Sequence, residues 1–293
     1  MDKLITILTP VYNRRKQMKN LYDSLCNQDV QNFVWLVIDD GSTDDLYDEI
    51  LKMKEEAPFE ITYQYKENGG KHTALNMAFE LLETELTFIV DSDDTLKKYA
   101  TEMIECEWNK VRDKDLSGIA FHRGYSNGKI DGDPFPEDGI YNDIDVRTRY
   151  RVGGDKAEVW RSDLLKQYKF PVFPGEKYMG EKYVWQKIAL NYDMMYINKI
   201  IYIFEYLDGG LTKTGRILKI QSPLGGMECS KIAFNERYPL REKIKNALLF
   251  VCYGKFAGKS FLRIVKESEA TKLIIANYIG GYLIFLYWKH KYL

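Results

Sequence analysis

Three carboxylates crowd into four positions at Asp91-Ser92-Asp93-Asp94. Charges that close repel unless a cation offsets them. Hard oxygen donors with few nitrogen or sulfur neighbours suit Mg²⁺ or Mn²⁺, ions that commonly bridge to phosphates. Helix capping is the bland alternative, because Asp and Ser both favour helix starts. It accounts for one Asp and does not require three. A second polar run, Asp39-Asp40-Gly41-Ser42-Thr43-Asp44, offers a carboxylate that could accept from a nucleobase N–H. A turn followed by a helix cap explains it equally well. A third, Asn68-Gly69-Gly70-Lys71-His72, puts two glycines at a helix opening, where bare backbone N–H groups suit phosphate and Lys71 adds charge. A tight turn is the competing explanation.

Each cluster follows a strand-like segment. Leu4 to Thr9 is an apolar run that stops at Pro10, and Phe33 to Ile38 is nearly all apolar, as a strand covered on both faces should be. Glu60 to Tyr65 alternates, and Leu86 to Val90 is a fourth strand. Helical spacing fills the gaps at Arg14 to Gln28, Leu46 to Lys54 and Thr73 to Leu82. That alternation predicts an α/β fold with an open, mostly parallel sheet and helices on its faces. The polar clusters then line the carboxyl edge, where ligands sit in such sheets. The stretch from Ser117 to Asp155 reads as short strands and loops, and another helix is predicted from Glu181 to Leu190.

Taken in order, the segments resemble the nucleotide-sugar-binding half of a family-2 glycosyltransferase with the GT-A fold. Thr9-Pro10-Val11-Tyr12-Asn13-Arg14 is similar to that family's opening strand-to-loop segment. Val37-Ile38-Asp39-Asp40-Gly41-Ser42-Thr43-Asp44 is similar to its base-binding segment. Asn68-Gly69-Gly70-Lys71 with Ala74, Leu75 and Asn76 resembles its third, and Asp91-Ser92-Asp93-Asp94 its metal-binding DxD region. The resemblance implies that Pro10, Val11, Tyr12, Asn13, Asp40, Gly70, Lys71 and Asp93 contact a nucleotide-sugar. Within that set Asp40 would meet a uracil-like base and Asp93 the ribose or sugar hydroxyls. It also implies that Asp94, with Asp91 as a second partner, holds divalent Mn or Mg. The implied enzyme is an inverting hexosyl- or N-acetylhexosaminyl-transferase of polysaccharide biosynthesis, taking a UDP-sugar to a glycan or lipid-linked hydroxyl. Such attack needs a carboxylate base. Glu181 is chosen, since a helix N-terminus favours an ionised carboxylate, with Glu176 and then Asp155 as alternatives. Lys182 stands where the family commonly has Asp. Tyr150 to Arg161 resembles the acceptor-side segment, Trp160, Tyr183 and Trp185 are candidates for stacking on sugars, and Tyr206 to Thr212 could form a loop near the diphosphate.

The remaining composition sets limits. Of 293 residues, 42 are Lys or Arg and 43 Asp or Glu, which disfavours a generally basic nucleic-acid binder. The last 63 residues carry twelve Lys and Arg against four Glu, a basic tail on an acidic body. Lys255, Lys259, Arg263 and Lys266 fall on one helical face, and an apolar run from Leu273 to Trp288 follows. Together they predict peripheral attachment to an anionic membrane surface. The expected place is the cytoplasm, at the inner face of the cell membrane. Expected domains are 1–220, with nucleotide-sugar binding in 1–100 and the acceptor side in 101–220, and a basic helical region over 221–293. Gly254 to Ser260 is one residue short of a P-loop and follows no strand. The competing functions are a sugar nucleotidyltransferase, for which Pro10-Val11-Tyr12-Asn13 lacks the glycine-rich phosphate loop, and a non-catalytic sugar-nucleotide or membrane scaffold.

Overall fold

A computed structural model describes residues 3–204 and 211–293, with side chains from 215 in the second stretch. Most of the loop expected at 206–212 lies outside the described residues. The chain divides into two compact units, residues 1–169 with 191–206 and residues 170–190 with 207–293.

Among the described residues, the first unit is built on one sheet of nine strands. Strands β1 (Ile5–Val11), β2 (Phe33–Asp39), β3 (Glu60–Tyr65) and β4 (Leu86–Ile89) alternate with α1 (Arg15–Cys26), α2 (Leu46–Glu56) and α3 (Lys71–Glu80). These four strands run parallel in the order β3-β2-β1-β4. Then come β5 (Thr95–Leu96), α4 (Ala100–Asn109), β6 (Leu116–Gly124), β7 (Gly139–Tyr141), α5 (Asp143–Thr148), β8 (Lys156–Arg161), α6 (Ser162–Gln167) and β9 (Asp193–Ile203). β8 inserts antiparallel between β4 and β6, and β9 lies parallel to β6. β5 and β7 pair antiparallel with β9. The sheet is therefore open and mostly parallel, as expected.

The hydrophobic pattern explains the layers. Met18, Leu21, Tyr22 and Leu25 of α1 sit at helical spacing and are buried beside Ile5, Phe33, Trp35 and Phe88 of the sheet. Burying side chains of this size contributes about 1.5–3 kcal/mol each. The strand expected to stop at Pro10 runs on to Val11, with Pro10 opposite Ile38. Strand residues alternate in the neighbour they face. Leu8 faces β4, since its carbonyl accepts from Val90 N–H. Pro10 faces the same way, beyond the end of β4, so its missing N–H breaks no ladder bond.

The second unit holds α7 (Lys182–Ala189), α8 (Leu211–Gln221), α9 (Pro223–Lys231), α10 (Leu240–Phe256), α11 (Phe261–Ser268) and α12 (Thr271–Tyr292). Residues 170–190 and 207–220, placed by the sequence with the first domain, belong here with the C-terminal helices. The core is Phe250, Val251, Tyr253, Ile264, Ile274 and Trp288. α10 and α12 approach closely, because a Cβ on Gly281 would come within 2.6 Å of Val251 Cβ. One cationic face through Lys255, Lys259, Arg263 and Lys266 is not formed. The chain leaves the helix between Phe256 and Phe261. Lys259 and Arg263 both pair with Glu267, which removes much of that face's charge.

Candidate active site

The four polar segments meet at the carboxyl edge of the parallel strands, and hydrogen bonds between them say how. Asn13 adopts a left-handed conformation (φ 51°) just past β1. Its side-chain oxygen accepts from Thr43 N–H at 2.7 Å, and its own N–H donates to Ser42 Oγ at 2.9 Å. Asp44 Oδ2 accepts the N–H of Arg15 at the start of α1 (2.9 Å). Asn13 thus staples the first segment to the second, while the Tyr12 ring is half exposed beside it.

Asp39 and Asp40 are both buried, with different duties. Asp39 takes the Ser42 N–H and the Tyr63 hydroxyl, each at 2.7 Å, and shapes the turn. Asp40 accepts from Gly69 N–H (3.0 Å), Gly70 N–H (2.8 Å), Lys66 Nζ (2.5 Å) and Asn68 Nδ2 (3.2 Å). A carboxylate offers about four lone-pair sites, and all are used. Asp40, predicted as a base contact, is thus the hub that ties the second segment to the third. Gly70 (φ +93°) supplies the positive-φ backbone by which the chain turns from this loop into α3.

The DxD region is electrostatically set. Asp91 pairs with Lys71 Nζ at 2.5 Å. Burial raises the Asp91 carboxyl, and the charge and hydrogen bond of Lys71 outweigh it, holding the group below the usual carboxylate range. Asp94 Oδ2 takes the Tyr202 hydroxyl at 2.7 Å and Arg123 Nη2 at 3.1 Å. Burial still pushes Asp94 up to about 7. Its Oδ1 takes no hydrogen bond among the described residues. The Tyr202 hydroxyl also accepts the Asp91 N–H at 3.0 Å, so one ring orients both aspartates. Asp93 is half-buried.

Arg123 and Tyr202 carry no local sequence signal. They reach Asp94 across 29 and 108 residues, from the ends of β6 and β9. The pair could have been suspected only from an Arg and a Tyr at the ends of adjacent strands.

A divalent ion can be tested against these donors. They are oxygen throughout, one carboxylate oxygen is open, and the other is oriented by hydrogen bonds, as ligating carboxylates usually are. Among the described residues no group of three or more His, Cys, Asp or Glu forms a ready-made cage. That set fits an ion which keeps waters and takes further ligands from substrate phosphates, the habit of Mg²⁺ and Mn²⁺.

The base candidates fall in different units. Asp155 is in the first, with its carboxylate 85% exposed and 4.0 Å from Arg123 Nη1. Glu176 and Glu181 are in the second. Glu176 accepts the N–H groups of Leu224 and Gly225 at 2.8 and 2.9 Å, so its two oxygens tie down the start of α9. Glu181 immediately precedes α7 and is half-buried. Trp160 and Tyr183 are buried, and Trp185 packs edge-on to Phe170.

The Glycosyl transferase family 2 model matches residues 6–170. The chain belongs to glycosyl transferase family 2. Membership of that family argues against the nucleotidyltransferase alternative. Glycosyltransferase GlyA of Streptococcus pneumoniae serotype 4 is 26% identical over 295 residues, covering 94% of this chain and 42% of GlyA. GlyG of the same organism is 31% identical over 229 residues, 73% of this chain and 74% of GlyG. The chain therefore spans less than half of GlyA and about three quarters of GlyG. Among solved structures, S. aureus TarS 1–349 in complex with UDP-GlcNAc superposes with TM-score 0.59 at 19% identity, over 94% of this chain and 89% of that one. Mannosyltransferase PcManGT from Pyrobaculum calidifontis, in complex with GDP-Man and Mn²⁺, gives 0.58 at 17% identity, over 98% and 88%. These likenesses establish the GT-A type fold.

Proposed function

We propose that this family-2 enzyme moves a sugar, with inversion, from a UDP-sugar to a hydroxyl of a glycan or lipid-linked acceptor. The observation that carries it is Asp94, buried and oriented, with one oxygen open at the edge where all four segments meet. Solved structures of the same fold hold UDP-GlcNAc in one case and GDP-Man with Mn²⁺ in another, which supports the donor class.

Pro10, Val11 and Tyr12 border the base pocket, and Asn13 fixes its rim. Asp40 acts through the Asn68–Gly70 turn it holds. Lys71 faces the phosphates and Asp93 meets ribose or sugar hydroxyls, whereas Gly70, expected to offer a bare N–H to phosphate, gives that N–H to Asp40 and shapes the turn instead. Asp94, with Asp91, would hold the divalent ion. An ion held by these aspartates, Mn²⁺ or Mg²⁺, would offset charge growing on the leaving diphosphate. The acceptor oxygen forms its bond to the anomeric carbon as the bond to the diphosphate oxygen breaks. The acceptor proton passes to a carboxylate. That base is Glu181 on chemical grounds, ahead of Asp155. Glu176 is set aside, because protonating it would break the two bonds that anchor α9. Glu181→Gln should keep UDP binding and lose transfer by about a hundredfold or more, while Asp155→Asn keeps most activity. Calorimetry and a transfer assay on both variants test this, and the reverse pattern moves the base to Asp155.

The same reading places the enzyme peripherally on an anionic membrane, where a lipid-linked acceptor resides. No helix among the described residues is long and apolar enough to cross a membrane. α12 is 22 residues long and has no acidic residue. Ile274, Gly281 and Trp288 face inward, while Ile275, Ile279, Leu283 and Leu286 are 43–76% exposed along one face. Lys272 stands near one end and Lys289, His290 and Lys291 at the other, a pattern suited to lying in an anionic interface.

A further inference from the structure

Both carboxylates that would take a divalent ion already own a cation. Asp91 holds Lys71 Nζ at 2.5 Å, from the first turn of α3, and Asp94 holds Arg123 Nη2 at 3.1 Å, from the end of β6. The second pair is well shielded, with side chains 6% and 17% exposed. Arg123 is also fixed in place. Its guanidinium lies 4.6 Å from the Tyr202 ring centre and 4.9 Å from that of Phe204. Its Nε is buried with no hydrogen-bond partner, and Nη1 is 4.0 Å from Asp155. A guanidinium with a spare, desolvated donor is primed for an anion, because leaving that donor unpaired is costly.

The arrangement penalises either ligand alone. A bare dication meets two resident positive charges, and a bare diphosphate meets the carboxylates. Arriving together, each removes the other's difficulty. We propose that Lys71 and Arg123 are exchangeable counter-ions. When a divalent cation and a nucleoside diphosphate bind together, Asp91 and Asp94 pass to the cation, while Lys71 and Arg123 pass to phosphate oxygens. With a diphosphate esterified to a sugar, which carries two negative charges, the site stays charge-balanced with and without ligand. The inference rests on the metal and nucleotide reading above and adds its energetic consequence. Metal and nucleotide affinities are coupled, and the coupling is reciprocal.

The test is calorimetry, with Mn²⁺ spin-resonance titration alongside, on the full chain. The ligands are MnCl₂ alone, UDP alone and UDP with Mn²⁺, for the unaltered protein, Arg123→Met and Lys71→Met. In the unaltered protein each ligand should bind about tenfold or more tightly in the presence of the other. Each substitution should strengthen bare Mn²⁺ binding by about tenfold and shrink the mutual gain. Lys71 is one-third exposed, so its variant should stay folded if Arg123→Met does not. Joint UDP and Mn²⁺ binding, with bare-Mn²⁺ affinity unchanged or weaker in the folded variants, overturns the counter-ion exchange alone. Failure of the unaltered protein to bind UDP with or without Mn²⁺ contradicts the proposed function itself.

Discussion

Glu158 shows how one side chain can set a pH response away from the donor edge. It lies on β8, 3.5 Å from Arg147 on α5, with Asp143 and Asp155 nearby. Burial pushes its carboxyl up to about 8, and Arg147 offsets only part of that. The folded protein therefore holds a proton that the unfolded chain releases at an ordinary carboxylate value. Stability should fall as pH rises from about 4.5 to about 8 and level off above. Glu158→Gln should flatten that slope and be more stable than the unaltered protein at pH 9, by roughly 1 kcal/mol or more, with the gap closing near pH 5. Thermal melts across that range check it, and parallel slopes for the two proteins would refute the assignment. Such a residue could not be read from sequence. Its neighbours come from α5 and from the loop before β8, and only folding gathers them. The charge density of Asp91 to Asp94 is a local signal that positive charge is needed, and in the fold Lys71 pairs with Asp91 and Arg123 with Asp94. Arg123 and Tyr202, which orient Asp94, were hidden by chain separation.

At the scale of elements, periodicity was a good guide wherever one face meets one core. α1 and α2 appear where the apolar spacing put them, and β3 matches its predicted limits. The sequence failed where a neighbour decides the outcome. β1 outlasts Pro10 because β4 ends first, and the cationic stripe breaks because the chain turns between α10 and α11. The Gly280-Gly281 pair in the apolar run reads from sequence as two weak helix positions. In the structure it is the contact surface for α10. Gly281→Ala should therefore destabilise by roughly 1–3 kcal/mol despite alanine's better helix propensity. Urea unfolding measures this, and a neutral or stabilising effect would mean the helices can separate at no cost.

For the whole molecule, the division into two units matters more than any boundary drawn from composition. The donor-side segments lie in the first unit, within the stretch that matches the family, while Glu181 and the basic helices lie in the second. The ordered set of four motifs made the fold legible. The base was not, because an acidic residue at a helix start carries no local signal that separates a base from an ordinary first-turn charge. The exposed face of α12 gives the second unit a testable role. With Ile279→Asp and Leu283→Asp together, the full chain should stop floating with phosphatidylglycerol vesicles yet keep its UDP affinity. Equal flotation would remove the membrane assignment. The most direct measurement is slow release of UDP from a panel of UDP-sugars by the unaltered protein and by Asp94→Ala, each with and without Mn²⁺. At least one sugar should be released, only with Mn²⁺ and only by the protein that keeps Asp94. Release that is indifferent to Asp94 and Mn²⁺, or binding of every donor with no release and no transfer, would contradict the account.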